Sequence, residues 1–70
     1  MFTVEINGIV YTVEARGRAK AVQRAAELVA NQTSGAAGRP VFVGYEPRGV
    51  VYRVDVAGIT YLAIVRNSGE

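Results

Sequence analysis

Cysteine, histidine and tryptophan are absent from this chain, proline occurs twice and methionine once. Without cysteine there is neither a disulfide framework nor a thiolate metal site. Without histidine the usual general base, pH switch and commonest metal ligand go together. Charge of one sign is also lacking: eight basic residues against six acidic leave a net +2, which permits an acidic partner without demanding one. No apolar run is long enough to span a bilayer, and the first residues enter a strand pattern at once. Neither signal peptide nor membrane span is expected, and the reading is a cytoplasmic protein. Seventy residues make one domain, 1–70, near the lower limit for a single core. Half of the residues are apolar, so the chain is expected to fold on packing, without metal or cofactor and with oligomerisation as an aid.

What is present begins with alternation. Phe2 to Ile6 and Ile9 to Ala15 alternate apolar and polar about Asn7-Gly8, a strong hairpin signal because a type I′ turn needs positive φ twice. The two-residue loop sets Ile6 opposite Ile9, Val4 opposite Tyr11 and Phe2 opposite Val13. A second hairpin about Ala57-Gly58 sets Val56 opposite Ile59, Val54 opposite Tyr61 and Tyr52 opposite Ala63. Val4 to Tyr11 lines up with Val54 to Tyr61, and either duplication or convergence on one hairpin recipe accounts for it.

Between the hairpins, Arg18 to Thr33 has helical spacing, with Ala21, Val22, Ala25, Leu28, Val29 and Gln32 on one stripe. Gly35 follows as a C-cap. Pro40 opens a third strand, Val41 to Glu46. Pro47-Arg48-Gly49 suits a three-residue loop, which pairs Glu46 with Val50, Tyr45 with Val51 and Val43 with Arg53. The predicted fold is a two-layer α+β domain of order ββαβββ, a five-stranded antiparallel sheet with one helix packed on one face. The first hairpin joins the other strands through strand one, beside either strand three or strand five.

The segment Val50 to Val65 is apolar on both faces. Tyr52, Val54, Val56, Ile59, Tyr61, Ala63 and Val65 fall on the helix side, joined by Phe42, and Val51, Leu62 and Ile64 fall opposite, joined by Val41, Val43 and Tyr45. That second face is either core under a curled sheet or a partner surface. The partner reading takes Val43, Tyr45, Val51, Arg53, Leu62 and Ile64 as binding residues and expects a homodimer, since aromatic residues and arginine are enriched at interfaces.

Catalytic chemistry has little to draw on. The carboxylates stand singly, Ser34 and Ser68 have no histidine to activate them, and no phosphate loop or metal spacing occurs. The chain reads as a non-enzyme. Arg16, Arg18, Lys20 and Arg24 cluster where the helix begins, although cations there oppose the helix dipole at about 0.3–1 kcal/mol each. No Ser, Thr, Asp or Asn caps that end. This is either a solvated basic turn or an anion site, with nucleic acid as one anion.

The run Tyr11-Thr12-Val13-Glu14-Ala15, then a short Ala/Arg helix, then a three-stranded meander resembles several small phage and mobile-element proteins, among them anti-CRISPR inhibitors. The resemblance spans Val10 to Val65 as element order. It implies a non-enzymatic inhibitor that occupies a surface of a protein or nucleoprotein complex, and it assigns no residue. Two alternatives remain: a nucleic-acid binder using the basic helix start, with Tyr45 and Arg53 stacking on single strands, and a structural component of a phage or plasmid system.

Overall fold

The computed structural model describes residues 1–33 and 35–67. Its elements are β1 (Phe2–Ile6), β2 (Ile9–Val13), α1 (Arg18–Thr33), β3 (Val41–Glu46), β4 (Gly49–Val56) and β5 (Ile59–Asn67). The strands form one antiparallel sheet in the order β2-β1-β5-β4-β3, with α1 packed across one face, the expected two-layer α+β fold. Strand one meets strand five: Val4 lies opposite Val65 and Ile6 opposite Ala63.

Both two-residue loops adopt left-handed conformations, φ 54° and 79° at Asn7 and Gly8, 52° and 82° at Ala57 and Gly58. Positive φ at both central positions matches the right-handed twist of the flanking strands. Every pair expected across the two hairpins is found, from Phe2 with Val13 to Tyr52 with Ala63.

The third hairpin departs from expectation. Its loop is Pro47-Arg48 alone, and Gly49 belongs to β4, paired with Glu46. Gly49 has φ 153°, and a Cβ there would come within 2.6 Å of the Val65 carbonyl oxygen. Only glycine lets β4 start this close to β5. The register near the loop is therefore one residue from the expected one, pairing Tyr45 with Val50 and Gly44 with Val51. A one-residue slip exchanges faces. Tyr45 thus lies on the helix side, not beside Val51 and Ile64. A bulge between Phe42 and Gly44 then shifts the register again, so Phe42 faces Tyr52 on the helix side and Val41 faces Arg53 on the other, the faces expected for both.

Gly17 caps α1, its carbonyl accepting from the Ala21 N–H at 2.9 Å. The buried face is Ala21, Val22, Ala25, Ala26 and Ala30. This corrects the predicted stripe: Leu28 is 44% exposed and Gln32 is exposed, while Ala26 and Ala30 take the seats against the sheet. The reason is distance. A helix seated on alanines lets its backbone approach closely, and the larger Leu28 is displaced toward the flank beside β2.

After the helix, the Gly35 N–H donates to the Ala30 carbonyl at 3.1 Å. The chain then runs beside β4: Ala57 N–H donates to Ala36 at 3.0 Å and Gly38 N–H donates to Asp55 at 2.7 Å. Sheet and helix close on a core of Val4, Ile6, Val13, Val50, Val54, Val56, Ala63 and Val65 beneath the helical alanines.

Candidate protein-binding site

The helix-free face is a set of cross-strand rows. One runs Val10, Glu5, Ile64, Val51, Gly44, and the next runs Leu62, Arg53, Val41. Of the residues assigned to a partner surface, Val51, Arg53, Leu62 and Ile64 do share this face. Val51 is only 5% exposed, so it is already covered within one chain. Ile64 is half-buried, and Glu5, beside it in the row, accepts from Arg48. Exposed ion pairs of this kind contribute little stability but occupy surface. Leu62, at 61% exposure opposite Arg53, is the open apolar residue of the group. Farther along, Thr60 Oγ1 donates to Asp55 Oδ1 at 2.7 Å.

Apolar exposure concentrates instead around β3. Five strands about 4.8 Å apart spread wider than one helix of about 10 Å diameter can cover. Helix α1 packs on β1, β2, β4 and β5, which leaves β3 outside its main footprint. On the helix side of this flank Phe42 stands edge-on to Tyr45, with ring centroids 5.3 Å apart, and edge-on to Tyr52 at 5.9 Å. Such pairs contribute about 0.5–1.5 kcal/mol beyond the area they bury. Yet Phe42 is 50% and Tyr45 79% exposed. Val43 is exposed at the bulge, and Val41 connects the flank to Leu62 around the strand.

Phe42 is the site residue that sequence reasoning assigned to the covered side. The available signal was the mismatch between one helix and five strands, which bears on the strand farthest from the helix.

The basic cluster divides. Arg16, Lys20 and Arg24 line one shallow concavity with Glu14 and Ala15, and Arg18 lies outside that lining. The first turn of α1 carries no acidic residue, and Gly17 supplies no side-chain cap. Glu14 offsets part of the positive charge.

Among the described residues no polar or charged side chain is buried, and no cluster of acidic residues could hold a metal ion. No described helix is long and apolar enough to cross a membrane. Compared with known protein families, curated proteins and solved structures, the chain matches none of them.

Proposed function

We infer that this chain is a non-enzymatic protein-binding module that docks on a larger protein or nucleoprotein complex through its β3 flank. One observation carries the reading. Phe42, Tyr45 and Tyr52 form an edge-to-face group, yet Tyr45 and Phe42 remain open to solvent. Exposed aromatic residues, tyrosine above all, are enriched at interface hot spots. Val41, Val43, Arg53 and Leu62 extend the surface around the strand. An inhibitor of the anti-CRISPR kind, encoded by a phage, would act in this way, by occupying a surface its target needs.

Affinity capture from a host lysate, compared between the parent and Tyr45→Lys, tests it. A hot-spot tyrosine contributes about 2 kcal/mol, so the captured partner should be lost roughly thirty-fold, with circular dichroism unchanged. Equal capture by both proteins overturns the reading.

A second reading, nucleic-acid binding, is favoured by the convergence of Arg16, Lys20 and Arg24 on one concavity. Oligonucleotide binding whose salt slope flattens when these three become Gln would favour it over the first.

A further inference from the structure

The two edges of the sheet are finished differently. β3 follows Pro40, which has no N–H, carries a bulge between Phe42 and Gly44, and ends at Glu46-Pro47. These devices spoil an edge as a template for another strand. β2 has none of them. Ile9–Val13 contains no proline and no charge, and it pairs with β1 without a shift in register. In a two-residue hairpin the residues flanking the loop form a hydrogen-bonded pair, here Ile6 and Ile9. Ile9, Tyr11 and Val13 therefore direct their backbone groups to β1, while Val10 and Thr12 turn theirs to the open edge. Beside that edge, on the helix side, Leu28 lies in a shallow groove with Val13, Glu14, Arg24, Glu27 and Asn31.

We propose that β2 pairs with β2 of a second copy of this chain, antiparallel about a two-fold axis at Tyr11, making one sheet continuous through both copies. Tyr11 is the midpoint of Ile9–Val13, so an axis there keeps the whole strand paired. Val10 then exchanges backbone hydrogen bonds with Thr12 of the second copy, and these are the groups that β1 leaves free. Ile9 meets Val13 of the second copy and Tyr11 meets its own counterpart, so apolar side chains oppose one another on the helix side. An axis perpendicular to the sheet keeps both helices on that side. Since α1 packs on β2 as well as on β1, β4 and β5, the two helices border the seam on one side. The groove beside β2 becomes shared: it carries Arg24 with Glu14 and Glu27, so each copy offers the other both signs of charge, and Leu28 is covered. This surface lies at the opposite edge from the β3 flank and stands independently of the function proposed for it.

The chain has no cysteine of its own, which makes cross-linking decisive. Opposed residues of a non-hydrogen-bonded pair have Cα atoms about 4.5 Å apart, within disulfide reach. Under mild oxidation Tyr11→Cys should form a covalent dimer with retained circular dichroism, while Val43→Cys, on the other edge, should stay largely monomeric. By sedimentation the parent should be a dimer. Val10→Lys should be a folded monomer, and so should Thr12→Pro, which removes an edge-facing N–H; if the proline variant does not fold, the lysine variant decides. A parent that stays monomeric at millimolar concentration overturns the proposal. So does a dimer that survives Val10→Lys but is lost in Val43→Lys.

Discussion

The hairpins about Asn7-Gly8 and Ala57-Gly58 have the same loop length, the same turn type and nearly the same strands, but they are held differently. Asn7 accepts a left-handed conformation readily, because a short polar side chain tolerates it. Among the described residues no backbone hydrogen bond from another segment reaches Asn7 or Gly8. Ala57 has φ 52°, where an alanine is strained by about 1–2 kcal/mol. Its N–H is fixed by the Ala36 carbonyl, and its methyl group fills the space where Gly35 has no side chain. The first turn is thus set by its own two residues, and the second by the connector that follows the helix. Equal geometry conceals unequal causes.

Three substitutions would break or sharpen that contrast. The largest effect should come from Gly35→Ala, whose new Cβ would lie 2.4 Å from the Ala57 Cβ. Overpacking of this order costs about 1–3 kcal/mol. It should lower the urea midpoint with the slope unchanged, and a neutral result would mean the connector is not seated on the turn. Next is Asn7→Ala, which should lose about 1 kcal/mol by placing alanine at positive φ without tertiary support; no loss would remove the local explanation of that hairpin. The smallest is Ala57→Gly, where relief of about 1–2 kcal/mol of strain is offset by about 0.5–1 kcal/mol for a freer unfolded chain and by the lost packing of the methyl on the connector, a net change below about 1 kcal/mol. Its sharper use is in combination. Since Ala57→Gly removes the nearest atom that Gly35→Ala would strike and leaves the residue 57 Cα at 3.0 Å, the double variant should be more stable than Gly35→Ala alone, a coupling that a thermal melt of all four proteins measures directly. Additive losses would count against the contact.

The same division explains which parts of the fold were legible. Asn7-Gly8 fixes the β1–β2 register by itself, and the apolar alternation on both sides of Ala57-Gly58 reveals the β4–β5 register even though the connector holds that turn. Pro47-Arg48-Gly49 allows two registers. The choice between them rests on how near Gly49 comes to Val65, a contact between strands that local pattern does not encode. Tyr45 changed faces on that one residue, whereas Phe42 and Val41 kept theirs because the bulge supplied a second shift. Leu28 was misplaced for another reason. A stripe drawn by hydrophobicity weights the large side chain, while the seat against the sheet went to Ala26 and Ala30, which let the backbones approach. An excess of apolar surface over what one helix can cover was plain from composition and alternation. Where that excess emerges depends on strand order, and β3 at the edge follows from β1 pairing with β5.

The interior is made of short, stiff side chains. Those buried are Val4, Ile6, Val13, Val22, Val50, Val51, Val54, Val56 and Val65, with Ala21, Ala25, Ala26, Ala30 and Ala63. Among the described residues not one buried side chain is leucine, methionine or phenylalanine. Alanine has no rotamers to lose on burial, and a valine in a strand is already restricted about its single free torsion. Ordering this core therefore costs less side-chain entropy than filling the same volume with longer, freer residues. A chain of 70 residues with no cysteine to form a disulfide gains little from sheer apolar area. It compensates by losing little motional freedom when its interior sets.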